Sequence, residues 1–381
     1  MNRIIALMAV ALCTFVAQAQ TLSSADYTMT VLPLDSATSI NKNGAIAGSA
    51  GGAAAIYSQG TVVVLRSPAN SITLRATDIA DSGYIVGYGE SSTSARQSLF
   101  WASATSDPID IGSSLGQFVI PMSVNSQGAV AGYYSVEAKG TKHAFRWSPT
   151  AGVATIDPPN STQSFAMDIS ESGYITGDVF YSDASHTAPR WYPSGAFGTI
   201  TFTGSGTRAL TNGSVIGTGS NGSTLWSISN TPALLTANPQ ANNVLQMSSR
   251  GRLVGYYLNP SSHYQAFTME SPIVPVTYLP IPPGVTDSFA YDVNECGTIV
   301  GEIVLTDGTH KIVTWSRPSC DPQTFVTVPD LHGIDLTTST ARLQQAALFP
   351  GQTNFVVSSC DQVGLIVAQS PSANSQAQQA S

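Results

Sequence analysis

Charged side chains are scarce in this 381-residue chain, at 10% of all residues, against about a quarter in most soluble domains. Basic residues are the rarer kind, with 15 Lys and Arg against 23 Asp and Glu, which gives a formal net charge of −8. A chain so poor in cations lacks the basic surface that DNA, RNA or anionic lipid would require. The sequence therefore predicts no nucleic-acid partner.

Long hydrophobic runs are missing as well, because no stretch beyond residue 20 reaches the ~18 apolar residues of a membrane span. One apolar run, at 4–16, follows Arg3 and precedes the A-x-A cleavage pattern at 17–19. We expect residues 1–19 to be a signal peptide and the mature chain to be exported, either periplasmic or extracellular. Its removal would leave 14 basic and 23 acidic residues, a net charge of −9.

Cysteine and catalytic motifs are few. Of four cysteines, Cys13 lies in the predicted signal peptide, and export favours a disulfide among the other three. The preferred pair is Cys296 with Cys320, and a bond between Cys320 and Cys360 is the close alternative. The chain contains no C-x-x-C, no G-x-S-x-G and no H-E-x-x-H motif. The sequence predicts no metal, no cofactor and no identifiable catalytic residue.

A repeat dominates what the sequence does contain. Seven segments that end in Gly-x-x-x-Gly have their final glycines 39, 45, 45, 40, 38 and 46 residues apart. They are 41–48 (NKNGAIAG), 80–87 (ADSGYIVG), 125–132 (NSQGAVAG), 170–177 (SESGYITG), the shorter 211–217 (TNGSVIG), 248–255 (SSRGRLVG) and 294–301 (NECGTIVG).

Each copy also predicts strands around these glycines. A short strand precedes the turn, an aromatic strand such as 143–147 (HAFRW) follows it, and a further β-rich run closes the unit. Four short strands per ~42 residues are typical of a propeller blade. We predict an all-β, seven-bladed β-propeller of four-stranded antiparallel blades over residues 20–329. A parallel β-solenoid is the alternative.

The repeat pattern, A-x-D-I-N-x-x-G-x-I-V-G followed by H-A-F-x-W, resembles the bacterial extracellular HAF repeat, whose name matches residues 143–145 here. The resemblance covers about residues 36–317 and weakens in the fifth copy, which lacks the His-Ala-Phe. It implies an exported, propeller-like protein and brings no general biochemical activity.

The chain ends offer two ways to close a ring. Either 26–33 or 324–329 could supply the outer strand of the last blade, and the pattern alone does not decide between them. Residues 330–368 are predicted to form a hairpin or cap, from strands at 354–358 and 364–368. Residues 369–381, rich in Ser, Gln and Ala, are predicted to be a disordered tail.

Two sets of repeated side chains allow more than one interpretation. Asp78, Asp168 and Asp292 share a repeat position with Ser39 and Ser123, where carboxylates could bind a cation or act in acid–base chemistry. We favour hydrogen bonding of Asp and Ser to backbone N–H groups of the turns. Tryptophans that could stack on sugars are interpreted instead as packing between blades, namely Trp101, Trp147, Trp191, Trp226 and Trp315.

Loops that depart from the repeat are the predicted ligand-binding regions. The loops that join second to third strands, or one blade to the next, contain Glu90, Tyr134, Glu137, Asp183, His186, Tyr257, His263, Tyr264 and Asp287. We predict an exported, monomeric, non-catalytic scaffold that binds a protein or a carbohydrate. The alternative is a propeller hydrolase or lyase with a carboxylate site in the central funnel.

Overall fold

The computed structural model divides the chain into two compact units, Thr21–Pro318 and a second unit made of Met1–Gln20 with Ser319–Ser381. In the first unit it describes residues 24–317, with gaps at 93–95, 113–114, 116–117, 138–139, 184, 201–203, 210–214, 220–221, 227–231, 235–242, 249–251 and 270–274. In the second it describes 10–14, 325–327, 329–335, 337–339, 342, 352–356, 365–370, 373 and 376–378. No helix among these residues is long and apolar enough to cross a membrane.

Four-stranded antiparallel sheets build the first unit, and seven of them occur among its described residues. Their strands are Ser36–Ile40, Ile46–Ala50, Ala53–Ser58 and Thr61–Val64; Ser71–Ile79, Ile85–Ser91, Arg96–Trp101 and Ile109–Asp110; Phe118–Val124, Val130–Ser135, His143–Ser148 and Gly152–Thr155; Ser161–Ile169, Ile175–Tyr181, His186–Trp191 and Phe197–Ile200; Gly204–Ala209, Val215–Gly219, Gly222–Trp226 and Pro232–Leu234; Asn243–Met247, Leu253–Leu258, Tyr264–Met269 and Thr277–Tyr278; and Val285–Val293, Ile299–Leu305, His310–Ser316 and Thr28–Val31.

Side chains are described throughout most of six sheets, whereas the fifth is described mainly by its backbone. The prediction of an all-β propeller with four-stranded antiparallel blades is confirmed. The antiparallel order within each of these four-stranded sheets excludes the parallel solenoid. Each of these sheets contains one of the predicted repeats. We number the sheets in chain order and refer to them below as blades one to seven.

The glycines of the repeat have two separate roles. The earlier glycine lies in the turn between the first two strands with a positive φ, as at Gly83 (91°). The later glycine lies opposite a bulge in the first strand, where a Cβ on Gly177 would come 1.8 Å from the Phe165 carbonyl oxygen. A side chain is therefore excluded at the later glycine by the neighbouring backbone.

Tryptophan packing between blades is confirmed for the described rings. Trp101 and Trp315 are fully buried, and Trp191 is 3% exposed. Each indole N–H donates to a carbonyl 35 residues earlier, in the segment that leaves the preceding blade, at distances of 2.7 to 2.8 Å. These bonds satisfy the one polar atom of a large apolar ring in the core. The side chain of Trp226 lies outside the described residues.

The N-terminal candidate for ring closure is the one that the structure uses. Thr28–Val31 pairs antiparallel with His310–Ser316 as the outer strand of blade seven, from Thr28 opposite Ser316 to Val31 opposite Val313. The competing segment contributes Phe325–Thr327, which pairs instead with Gln376–Gln378 in the second unit. The chain therefore closes its ring by pairing its beginning with its last blade.

The second unit contains a three-stranded sheet with Val10–Thr14 at its centre. This strand pairs antiparallel with Gln352–Val356 and parallel with Ala368–Ser370. The two outer strands lie near those predicted at 354–358 and 364–368, but they pair through a third strand and form no hairpin. Most of the predicted signal peptide and of the predicted tail lies outside the described residues, so both stay predictions.

Candidate functional site: the central channel and its mouth

The first strands of the blades surround a central channel with two ends. We call "base" the end where the turns between first and second strands lie. We call "mouth" the opposite end, where first strands begin and the loops between second and third strands lie. A cavity of about 400 Å³ occupies the mouth side and one of about 460 Å³ the base side. Both touch a common set, the waist: Ser39, Asp78, Ser123, Asp168, Gln246 and Asp292.

Bulges in the first strands aim the waist side chains into the channel. In blade two the register shifts between Ala76 and Asp78, and blades one, three, four, six and seven shift at the same repeat position. The residue skipped by the bulge lines the mouth-side cavity in five of these blades: Thr38, Thr77, Met122, Leu245 and Tyr291.

Waist carboxylates link one blade to the next. Asp78 Oδ2 accepts the Ser123 hydroxyl and the Val124 N–H, both at 2.8 Å. Asp292 Oδ2 likewise accepts the Ile40 N–H of blade one at 2.8 Å. The expectation of backbone hydrogen bonding holds, but the donors belong to the end of the neighbouring blade's first strand and not to a turn. This explains the alternation of Asp and Ser, because one side chain accepts what the next one donates.

Similar hydrogen bonds join neighbouring blades at the base. Asn125 Oδ1 accepts two N–H groups of its own turn, while its Nδ2 donates to the Ser170 carbonyl of blade four at 3.2 Å. Asn294 of blade seven donates to the Asn41 carbonyl of blade one in the same way. Recurrence of one side chain with one role in different blades indicates that the base is a structural end of the ring.

Side chains at the mouth differ from blade to blade. The residue directly after the later glycine is Ser49 in blade one, aromatic in blades two, three and six, and acidic in blades four and seven. Those aromatic and acidic residues are Tyr88, Tyr133, Tyr256, Asp178 and Glu302. The residue at this position varies although the rest of the repeat is regular, so the fold does not require particular side chains at the mouth.

A first aromatic arc, which we define as Tyr88, Tyr133, Phe165, Phe180 and His186, spans blades two to four. Tyr133 packs edge-on against Phe165 with ring centroids 5.0 Å apart, and Phe180 stacks on His186 at 5.1 Å. Burial raises the pKa of Tyr133, and the nearby Tyr88 adds to this effect while Arg96 opposes it. These rings are half-buried, apart from Phe180, which is 37% exposed.

Two guanidinium groups cover one end of this arc. Arg75 lies 4.6 Å from the Tyr88 ring centroid and Arg96 lies 5.1 Å from it, so both engage the same ring in cation–π contacts. Arg96 also lies 3.8 Å from Glu90. Arg75 is exposed and lines the mouth-side cavity, where it is the one basic residue whose side chain the structure describes.

A second aromatic arc, defined as Tyr256, Tyr264, Phe289 and Tyr291, spans blades six and seven. Tyr256, Tyr264 and Phe289 contact one another with centroids 5.0 to 5.4 Å apart. Burial and then the hydrogen bond to Glu302, 2.7 Å from the hydroxyl, raise the pKa of Tyr291 well above its usual value. Blade one, with Ser36 and Ser49, carries small polar residues between the two arcs.

Four histidines at the mouth each lie beside a carboxylate. The pairs are His143 with Asp157 (2.6 Å), His186 with Asp178 (3.9 Å), His263 with Asp287 (3.6 Å) and His310 with Glu302. Burial alone would raise the pKa of Asp287, but the Tyr264 N–H, the Thr286 hydroxyl and His263 together lower it. The four histidines themselves lie in blades three, four, six and seven.

One of these pairs includes a serine but is not a catalytic triad. Asp157 accepts the Ser164 hydroxyl on one oxygen and lies beside His143 Nδ1 on the other, so the aspartate stands between serine and histidine. In a triad the histidine stands between them, because it takes the serine proton. Ser164 is also fully buried, and its oxygen accepts the Ala144 N–H across the contact between blades three and four.

The predicted ligand-binding residues all lie at the mouth, but the structure does not gather them into one cluster. Tyr134 packs on His143 and Tyr257 bonds Gln265, while exposed Asp183 accepts the Ser185 N–H of its own turn. None of Glu90, Tyr134, Asp183, His186, Tyr257 and His263 lines the mouth-side cavity. Sequence reasoning missed residues that do: Arg75, Tyr88, Tyr291 and Glu302. The position after the later glycine could have revealed two of them, because it varies among copies.

In the described part of the chain, no three Asp, Glu, His or Cys side chains lie close enough together to hold a metal ion. Cys296, in the first turn of blade seven, is disulfide-bonded. Cys320 and Cys360 lie outside the described residues, so the pairing of Cys296 with Cys320 stays a prediction.

Comparisons with known proteins concern the fold alone. No family model and no curated protein matches the chain. Among solved structures it is similar to YCF48 bound to a D1 peptide (11% identity, 80% of this chain and 98% of that one, TM-score 0.47). It is also similar to a chain of the mitotic checkpoint complex (11%, 80% and 98%, 0.49) and to a putative gluconolactonase (10%, 78% and 94%, 0.40). These similarities carry no argument about function.

Proposed function

We propose that this chain is an exported, non-catalytic scaffold that binds a protein or a glycan at the mouth of its central channel. One observation carries the proposal: asparagines at the base make the same bond between blades in blades one, three and seven, whereas side chains at the mouth change from blade to blade and form two aromatic arcs. Aromatic rings with a few placed polar groups are the usual lining of a binding site. The HAF-repeat resemblance and the signal-peptide pattern support export.

The competing function, a hydrolase or lyase with carboxylates in the funnel, has weaker support. Asp78 and Asp292 each accept hydrogen bonds from the neighbouring blade on Oδ2 and from the next backbone N–H of their own strand on Oδ1. A general acid or base must exchange a proton with substrate, and its oxygens must be within reach of it. We therefore assign these carboxylates to the ring itself.

We further propose that the ring has seven blades, the fifth being a complete blade although its side chains are mainly not described. Support comes from its four strands in the regular order and from the predicted repeat at 211–217.

The test uses the mature chain, residues 20–381, on a glycan array, on a peptide array and in a panel of hydrolase and lyase substrates. We expect binding without turnover. Tyr88→Ala at the mouth should reduce binding, whereas Lys42→Ala at the base should not. Turnover of any substrate by the purified chain would overturn the proposal, and so would binding that only Lys42→Ala affects.

Export has its own test. Expression with residues 1–19 in a bacterial host should deliver the chain outside the cytoplasm, with Gln20 as its first residue by N-terminal sequencing. A cytoplasmic chain that keeps Met1 would contradict it.

A further inference from the structure

Exposed apolar side chains are concentrated at the mouth. Among the described residues nine large hydrophobic side chains are exposed, and three lie on outer strands: Val31, Val64 and Ile109. The other six lie at or near the mouth: at strand ends, in a loop between second and third strands and, for Ile281, in the segment that joins blade six to blade seven. They are Ile72, Val136, Phe180, Leu258, Tyr264 and Ile281, with exposures of 36% to 65%. Apolar groups gathered on one end of a molecule mark an interaction surface.

The channel beneath this rim is strongly acidic. Among the described residues, its two cavities are lined by eight carboxylates and two basic groups. Those on the mouth side are Asp35, Asp78, Asp168, Asp292 and Glu302, and Arg75 is the only basic residue among the side chains that the structure describes there. Charges of one sign in a cleft with low-dielectric walls raise the local concentration of oppositely charged groups. The field at the mouth therefore favours a positively charged ligand.

We propose that the mouth docks a segment of a partner protein that carries both basic and apolar side chains. A basic side chain of the partner enters the acidic mouth-side cavity, while its apolar side chains cover the six rim residues. This inference rests on the proposed binding function and names the ligand class. Both features are needed, because the rim provides apolar area and the channel provides charge complementarity.

A glycan fits the same surface less well. A neutral sugar is held by hydrogen bonds, but the rim carboxylates are already engaged, Glu302 by Tyr291 and His310 and Asp287 by Tyr264 and Thr286. Aliphatic side chains such as Ile72, 65% exposed, give a sugar no such bonds. A polyanionic glycan would meet the negative field of the channel.

The test measures fluorescence anisotropy of three labelled decapeptides added to the mature chain: alternating Leu and Lys, alternating Leu and Glu, and alternating Gly and Lys. We expect the Leu/Lys peptide to bind at least tenfold more tightly than either of the others. Its affinity should also fall when NaCl is raised from 50 to 200 mM. Equal binding of the Leu/Glu peptide would overturn the proposal.

Matched variants locate the binding. Leu258→Ser with Ile281→Ser removes apolar area from the rim, and Val64→Ser with Ile109→Ser removes similar area from the outer strands. We expect the rim pair to weaken Leu/Lys binding at least fivefold and the outer pair to leave it unchanged. Equal effects of the two pairs would overturn the proposal.

Outcomes for this inference and for the proposed function are distinguishable. Binding of a neutral glycan, lost in Tyr88→Ala, with no preference among the peptides would overturn the inference and keep the scaffold. Absence of any binding to glycans or peptides would overturn both.

Discussion

Asp292→Ala removes the carboxylate that joins the last blade to the first. Oδ2 accepts the Ile40 N–H at 2.8 Å and Oδ1 accepts the Val293 N–H at 2.7 Å, on a side chain that is 8% exposed. A hydrogen bond to a charged acceptor contributes about 1.5–3 kcal/mol, and a buried donor left without a partner costs about 1–3 kcal/mol. With two donors affected, we expect the free energy of unfolding to fall by about 3–5 kcal/mol.

Urea denaturation followed by tryptophan fluorescence measures this loss. At a slope of about 3 kcal/mol/M, the midpoint should fall by about 1 M or more. Asp292→Asn keeps one acceptor oxygen and should give an intermediate midpoint. The control is Asp307→Ala, in an exposed turn of the same blade, where the carboxylate accepts the Thr309 N–H.

Asp307→Ala should leave the midpoint close to that of the wild type. If Asp292→Ala lowers the midpoint no further than this control does, the waist carboxylate does not stabilise ring closure and the reasoning is wrong. Unchanged slopes in all variants would show that the same surface unfolds in each of them.

Three further changes test other parts of the structure. Gly301→Ala places a Cβ 1.9 Å from a backbone oxygen and should lower the free energy of unfolding by about 3 kcal/mol or more in urea denaturation. Gly308→Ala, in open space at φ +80°, should lower it by about 1–2 kcal/mol. Similar decreases in the two variants would contradict this prediction. Tyr291, whose raised pKa favours the neutral form, stabilises the fold fully below about pH 10 and progressively less as pH rises toward its folded-state value. A tyrosine titration at 295 nm should therefore show equal ionisation between pH 9 and 11 in wild type and Tyr291→Phe, and a smaller change in the variant would refute it. The denatured, unreduced mature chain should contain one free thiol of three and Cys296→Ser two. One free thiol in the wild type with none in the variant, or three with two, would contradict the bond.

The regular parts of the fold were predictable because the residues of each repeat indicate its strands and turns. Alternating apolar residues predict strands, and a turn glycine such as Gly83 predicts a positive φ. The recurrence of tryptophan on one strand predicts burial, which Trp101 shows. These signals are local, and seven copies reinforce them.

Contacts between blades were not predictable from one repeat. The donors to Asp78 come from residues about 45 positions later, and the bulge before it turns the strand so that simple alternation misplaces its side chain. A prediction of ligand-binding residues from loops therefore missed the cavity residues Arg75 and Tyr88, because they lie inside strands. A comparison of the copies position by position would have identified Tyr88.

The pairing of Thr28–Val31 with the last blade has a consequence for biogenesis. This segment leaves the ribosome early, and its partner strand follows about 290 residues later. Until synthesis reaches that point, the first segment has no strand to pair with. The growing chain then exposes unpaired strand edges, which promote association between chains. Completion of the ring is therefore a late event with a long loop to close, and a chain that stops short of residue 310 would lack the strand on which its own beginning depends.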